Sequence, residues 1–314
     1  MSYHKTMSSV CCCWLRSIAP FIVLLLCQPS QADYAEVVLL GTGTPRPSIE
    51  RFGSATLVMV GDKRLLFDAG RGVSIRLQQA GLSADQIDHV FLTHLHSDHI
   101  SGLDDLWLTA RIWQRQTVLP VSGPEGTEQF VQHLMQAYER DIHFRSSNKA
   151  QSKQQALLLA TDINQGLVFE HNGIRVIAFL VAHNPVSPAL GYRIEFGQRK
   201  IILSGDTTYS ENLIKEAQGA DLLIHEIAAA SEQLLRRNPR LQRVLAYHTQ
   251  TAQMSRILQE TQPRLTVLNH VLLFATSPEQ VLQELKEQYA GRIAMGHDLM
   301  RIEVGEKIKL RSMD

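Results

Sequence analysis

Two rhythms of apolar and polar residues alternate along this chain. Short apolar runs that end in glycine read as strands, the first being Glu36-Val37-Val38-Leu39-Leu40 ahead of Gly41-Thr42-Gly43. Residues 56–60 and 64–67 form a strand pair, with Gly61-Asp62 as its hairpin turn. Residues 73–80 take up helical spacing, closed by Gly81. A strand over 89–92, a helix over 103–113, a strand over 117–121 and a helix over 128–138 follow. Residues 145–155 are polar and read as a mobile surface loop. The second half repeats the mixture, with strands at 174–181, 190–196, 200–203, 221–224 and 265–268 and helices at 212–217, 251–260 and 279–289. No short repeat and no linker rich in Pro or Gly interrupts it. The pattern predicts one α/β domain built from two strand-rich halves.

The chain has 314 residues, 44% of them apolar and 20% charged, which is ample for one large core. Its N-terminus reads as a secretory signal over residues 1–32, leaving 33–314 as the mature domain. Lys5 and Arg16 supply positive charge, residues 17–27 an apolar core, and Ser30-Gln31-Ala32 a small-x-small cleavage site. The apolar run falls short of the ~20 residues a membrane span needs, so no stable span is expected after cleavage. An uncleaved anchor or lipidation at Cys27 are the alternatives, the second disfavoured by the leucines before that cysteine. The reading places the protein in the periplasm or outside the cell.

Net charge is zero, and removing residues 1–32 leaves 29 − 31 = −2. This balance lacks the basic excess usual in nucleic-acid binders. All four cysteines (Cys11, Cys12, Cys13 and Cys27) lie in the leader. The mature chain therefore has no disulfide and no thiolate ligand, and any metal must be held by His, Asp, Glu and water.

The most specific chemistry lies in Thr93-His94-Leu95-His96-Ser97-Asp98-His99, directly after the apolar Val90-Phe91-Leu92. Imidazole and carboxylate are what Zn²⁺ or a similar first-row metal selects. In a regular helix or strand this spacing scatters the side chains, whereas in a tight loop leaving a buried strand all four converge. His-x-His-x-Asp-His thus predicts a metal centre, of one ion or two. Three more ligand-type residues, His183, Asp206 and His270, each follow an apolar run. Singly, each is better explained as a core or loop residue; together, downstream of the motif, they complete a site.

In this order the residues resemble the metallo-β-lactamase superfamily. Leu40-Gly41-Thr42-Gly43, Leu66-Phe67-Asp68-Ala69-Gly70, Gly123-Pro124-Glu125-Gly126, Gly191-Tyr192-Arg193-Ile194, Ser204-Gly205-Asp206-Thr207, and Leu223-Ile224-His225-Glu226 with His248-Thr249 are similar to its ribonuclease Z and secreted arylsulfatase-like branch. The resemblance spans roughly residues 35–305. It implies an αββα sandwich and two divalent metal ions, Zn²⁺ with Mn²⁺ or Fe as alternatives. His94, His96 and His183 would hold one ion, Asp98, His99 and His270 the other, and Asp206 would bridge.

The resemblance also implies hydrolysis by hydroxide at a metal pair, with Asp98 orienting it. His248 would contact the substrate oxyanion or leaving group, and Glu226 would fix its tautomer. Asp68 would hydrogen-bond a ligand histidine from behind. His225 is left without a role. Arg236, Arg237, Arg240 and Arg243 read as a solvated face, and Trp107 and Trp113 as core or rim packing.

The family's transfer-RNA enzymes carry a long Gly/Pro-rich arm between Gly-Tyr-Arg-Ile and the bridging Asp. Here Ile194 is followed within a dozen residues by Asp206, so no such arm fits. The start of the mature chain, with Thr44-Pro45 and Arg51-Phe52-Gly53, is similar to the secreted arylsulfatases. The expected substrate is a small anionic ester, an aryl sulfate or phosphodiester, with no transfer RNA as partner. A ribonuclease Z-like phosphodiesterase or endonuclease without the arm is the alternative, as is a lactamase- or lactonase-like hydrolase. A non-catalytic metal binder is the remaining reading. A homodimer is expected by analogy with the branch.

Overall fold

The N-terminal half supplies six strands, β1 (Ala35–Gly41), β2 (Ala55–Val60), β3 (Lys63–Phe67), β4 (His89–Phe91), β5 (Leu119–Gly123) and β6 (Leu158–Asp162). A second run follows: β7 (Gly166–His171), β8 (Ile174–Leu180), β9 (Leu190–Phe196), β10 (Arg199–Leu203), β11 (Leu222–Ala230), β12 (Leu265–Phe274) and β13 (Ile293–Met295). The chain then returns to the first sheet with β14 (Arg301–Val304) and β15 (Ile308–Arg311). One sheet has the order β15-β14-β1-β2-β3-β4-β5-β6 and the other β13-β12-β11-β10-β9-β8-β7. This computed structural model describes residues 34–146 and 157–311; the leader reading and residues 147–155 of the expected loop lie outside them.

Strand alternation builds the layers. In β1, Val37 and Leu39 point into the core between the sheets, with Phe67, Phe91, Tyr192, Ile201, Ile224 and Val267. Val38 and Leu40 point the other way, to a core under the helices α1 (Val73–Gln79), α3 (Leu103–Ile112) and α4 (Thr127–Ala137). Between α1 and α3 lies the single turn α2 (Ser97–Ile100). Helix α5 (Glu139–Ser146) completes that side. The outer face of the second sheet packs Ile202, Leu223 and Leu268 against α6 (Glu211–Ala217), α9 (Thr251–Thr261) and α10 (Pro278–Gln288). Between β11 and α9 the chain makes a helical hairpin, α7 (Glu232–Arg237) and α8 (Pro239–Leu245), whose Leu241 and Leu245 pack on Ala228 and Leu272. The architecture is the expected αββα sandwich.

Two differences from the sequence expectation bear on the site. Residues 97–100 are a helical turn, so Asp98 and His99 leave neighbouring positions of α2 rather than the tight loop the spacing suggests. Strands β11 and β12 run on well past residues 224 and 268. Their parallel register shifts between Glu226 and Ile227, opposite Asn269 and Val271, which makes His270 an extra residue with φ +41°. A bulge of this kind re-aims one side chain without ending the sheet.

Candidate metal centre

The motif sits where β4 leaves the first sheet, and its backbone is tied down on both sides. Leu92 carbonyl accepts from Tyr192 Oη at 2.6 Å, and Thr93 carbonyl accepts from Leu190 N at 2.8 Å. These bonds come from β9, so the two sheets pinch together behind the site. Gly70 packs against the turn bearing Asp98; a Cβ there would lie 2.3 Å from Asp98 carbonyl oxygen. Gly205, just before Asp206, has φ +60°, and a Cβ on it would lie 2.7 Å from Leu190 carbonyl oxygen. Glycine is required by conformation and by space at this position.

Seven of the expected side chains converge. The ligand-capable atoms of His94, His96, His183 and Asp206 all lie within 4.8 Å of one another, and so do those of Asp98, His99 and His270. In the first group, His96 Nδ1 is 3.0 Å from His94 Nε2 and 3.4 Å from His183 Nε2. In the second, His270 Nε2 is 3.1 Å and His99 Nε2 3.6 Å from Asp98 Oδ2. Asp206 reaches both: its Oδ2 is 3.9 Å from His94 Nε2 and 3.5 Å from His270 Nε2, and its Oδ1 is 3.5 Å from His99 Nε2. Two ligands on a tetrahedral ion bonded at ~2.0–2.1 Å stand roughly 3.3 Å apart, so the spacing suits such ions.

The proton inventory points the same way. His183 Nδ1 donates to Tyr247 carbonyl at 2.9 Å, which leaves Nε2 as a lone pair. Asp68 Oδ2 accepts from His99 Nδ1 at 2.7 Å and from Thr93 Oγ1 at 2.9 Å. Thr93 Oγ1 is in turn 3.0 Å from His94 Nδ1, whose proton it can accept. One buried carboxylate thereby fixes the tautomers of a histidine in each group. Asp68 itself has φ +60°, a conformation Asp tolerates better than most residues. Lone pairs thus face lone pairs: His99 Nε2 and Asp206 Oδ1 are buried without a hydrogen-bond partner. Cations resolve that arrangement, and the donor set fits two divalent ions.

Electrostatics divide the two groups. Burial opposes the charged form of His99, but Asp206 and Asp68 beside it raise it well above the usual imidazole value, so a second ion would have to displace its proton, whereas the first group is held neutral. Burial, with His99 alongside, holds His94 well below the usual imidazole value, and burial takes His183 to about 4. Burial opposes the ionised form of Asp206, but His270 and His99 beside it hold it well below the ordinary carboxylate range.

His248 and Glu226 form the adjoining pair. Glu226 Oε1 accepts from His248 Nδ1 at 3.0 Å and from the backbone N–H of Thr207 and Thr249, each at 3.1 Å. Burial would depress His248, but the Glu226 carboxylate outweighs it and lifts the imidazole to about 9. His225 is fully buried, and its Nδ1 donates to Glu226 carbonyl at 2.7 Å.

A cleft of about 440 Å³ opens above these residues, with His96, Asp98, Asp206, His248 and His270 in its lining. Of the arginine cluster, Arg240 lines this cleft, while Arg236 pairs with Glu232 on an exposed face. Trp107 is core and Trp113 is 57% exposed.

Sequence reasoning missed Asp298. It accepts from Thr42 N and Phe52 N, each at 2.8 Å, and from Arg76 Nε at 3.0 Å, clasping both ends of the loop that walls the cleft. It missed Tyr247 as well, whose contribution is a carbonyl and carries no side-chain signature.

The sequence profile of the beta-lactamase superfamily domain matches residues 63–271. Ribonuclease Z of Mycobacterium sp. (strain KMS) is 32% identical over 273 residues, covering 86% of this chain and 96% of that protein. Among solved structures, the metallo-beta-lactamase fold protein YhfI from Bacillus subtilis aligns with a TM-score of 0.68 at 21% identity, over 86% of this chain and 99% of that one. Human tRNase Z, short form, aligns with a TM-score of 0.65 at 23% identity, over 85% and 98%. At such identities these two structures speak to the fold.

Proposed function

This chain belongs to the metallo-β-lactamase superfamily, in its ribonuclease Z branch, and from that premise we propose that it is a metal-dependent phosphodiesterase. The observation that carries the reading is two groups of metal-ligand side chains, with Asp206 within reach of both, beside His248, which lines the same cleft and is held from behind by Glu226. His94, His96 and His183 would hold one ion and Asp98, His99 and His270 the other, with Zn²⁺ the ion that a set of nitrogen and oxygen donors suits. Bound there, the pair would lower the pKa of water and offset charge on the phosphate oxygens.

The chain's own residues do the rest. Asp98 holds a carboxylate oxygen at the cleft floor, where it orients the attacking water. Glu226 keeps a proton on His248 Nδ1 and raises the basicity of the ring, so that at neutral pH His248 is a cation beside the reacting phosphate. From that position it donates a proton to the departing oxygen. Because β9 ends at Phe196 and β10 begins at Arg199, only two residues separate them, and substrate contacts must come from the cleft rather than from a long insertion there. Phosphodiesters of nucleotide size fit this arrangement best. The leader reading keeps export within the proposal.

Sulfate esters present the same tetrahedral oxyanion and remain the competing reading, inherited from the similarity of residues 41–55 to secreted arylsulfatases. A panel on metal-analysed protein separates them: bis(4-nitrophenyl) phosphate, a dinucleotide, 4-nitrophenyl sulfate and nitrocefin. Turnover of the diesters well above the others is expected. Selective turnover of the sulfate would replace this reading.

A further inference from the structure

Outside the metal ligands and the His248–Glu226 dyad, two cations share the cleft. Arg46 sits in the loop after β1, and Arg240 stands at the start of α8; both line the cavity that holds His96, Asp98 and His248. Neither guanidinium has a carboxylate partner among the described residues. That is unlike Arg193, Arg199 and Arg264, each of which pairs with an acid. Unpaired arginines flanking a reaction site are preorganised for an oxyanion, because the planar guanidinium fork matches phosphate.

Both arginines stand on anchored scaffolding. The loop bearing Arg46 is clasped by Asp298 and by Arg51, whose Nη1 donates to Thr42 Oγ1 at 2.6 Å and to Gly296 carbonyl at 2.8 Å. Helix α8 is pinned through Leu241 and Leu245. The Arg46 guanidinium lies over the ring of Phe274, 5.4 Å from its carbon to the ring centroid, and Phe274 is also part of the cleft, so a base on this ring would share it with the cation. A second cavity of about 210 Å³, lined by Thr44, Ser48 and Arg51, shares Arg46 and Leu272 with the first. The two cavities abut at Arg46 and Leu272, and none of the metal ligands lines the second; together they offer cations, an aromatic ring and a hydroxyl-lined recess close to one another. That set of features is what a single strand of nucleic acid uses, with charge for the backbone and an aromatic face for a base.

We infer that Arg46 and Arg240 form a second anion subsite, which takes the phosphate next to the scissile one, with Phe274 as the platform for the intervening base. The inference rests on the phosphodiesterase reading for its biological use, but the subsite is a property of the surface and can be measured without turnover. The chain as a whole is neutral, so this recognition is local. Two phosphates in one substrate are read by two different devices, the metal ligands for one and the arginine pair for the other.

The test compares thymidine 3′,5′-bisphosphate with thymidine 5′-monophosphate as ligands of the metal-loaded protein, by titration calorimetry. The bisphosphate is expected to bind roughly five- to tenfold more tightly, the scale of two partly exposed charge pairs, and the advantage should shrink as salt is raised. R46Q and R240Q should each reduce the ratio of the two affinities, and the double variant should bring it close to one. R236Q, on the exposed face of α7, should leave the ratio where it was. Equal affinities in the unaltered protein, or a ratio that survives R46Q/R240Q, would overturn the subsite. The same pair as 4-nitrophenyl 5′-esters reports on turnover: a preserved binding ratio with no hydrolysis of either ester overturns the phosphodiesterase reading and leaves the subsite standing.

Discussion

Glu226→Gln isolates the role given to the His248–Glu226 dyad. Gln keeps an oxygen that can accept from Thr207 N and Thr249 N, so the local backbone retains its partners. What it removes is the negative charge 3.0 Å from His248 Nδ1. That charge is what lifts His248 to about 9 against the pull of burial. The sign follows directly. A raised imidazole carries its proton below about 9 and loses it as pH climbs through that value, so activity that needs the proton should fall on the alkaline side. At pH 7.5 the ring is then ~97% protonated; returned to an ordinary imidazole value of ~6.5 it is ~10% protonated. Ionisation alone therefore costs about tenfold in kcat at pH 7.5, and loss of a well-placed acid as a whole is typically ~10²–10⁴. The assay is a pH profile from 6 to 10 on two diesters. In a dinucleotide the leaving alkoxide needs the proton; in bis(4-nitrophenyl) phosphate the leaving phenolate scarcely does. Glu226→Gln should shift the alkaline limb downward by a unit or more and slow the dinucleotide far more than the nitrophenyl ester. An unmoved limb, or equal losses on both substrates, would show that His248 does not act as the acid.

Three further outcomes follow from the geometry. Asp68→Asn replaces the acceptor that serves His99 directly and His94 through Thr93, so affinity should fall about 10–100-fold at both ion sites in a chelator competition. Weakening of one site alone would remove Thr93 from that chain. Gly205→Ala forces a Cβ to within 2.7 Å of Leu190 carbonyl oxygen at φ +60°, costing on the order of 1–3 kcal/mol in a urea titration, and an unchanged midpoint would contradict that packing. With His183 at about 4 and His94 also depressed, but His99 raised by Asp206 and Asp68, the ion held by His94, His96 and His183 should persist to lower pH than the one held by Asp98, His99 and His270, so metal content should fall from two to one before it falls to none; mass spectrometry after dialysis at each pH reads this, and simultaneous loss of both would contradict it.

The parts of the site that were legible in the sequence are those written contiguously. His94, His96, Asp98 and His99 fall within one short segment, and no fold is needed to bring them near one another. His183, Asp206 and His270 are single residues after apolar runs and gained meaning only beside that motif and the family likeness. Even so, His270 was placed at a strand end, whereas it is an inserted bulge residue within the ten-residue β12. A bulge depends on the partner strand's register, which a lone strand's pattern does not encode. Asp298 is separated from Thr42 by 256 positions, and its five acceptor contacts have no local signature. Strands β6, β7, β13 and β15 have no clear signature because edge strands bury little, as in β15, where only Ile308 is buried; β14 lies inside its sheet, but its four residues bury only Ile302 and Val304, too short an alternation to stand out. Arg240 resembled its solvated neighbours because helix spacing alone does not say which turn of α8 overhangs a cleft.

The most direct test of the central claim is a metal titration of the rate. Protein stripped by chelator is supplied with stepwise Zn²⁺ while bound ion and hydrolysis of bis(4-nitrophenyl) phosphate are followed together. A dinuclear phosphodiesterase predicts saturation at two ions per chain, with the rate rising as both sites fill and Asp206→Asn abolishing both. A chain that binds two ions and stays inert on every phosphodiester, or one that turns over fully without metal, would contradict it.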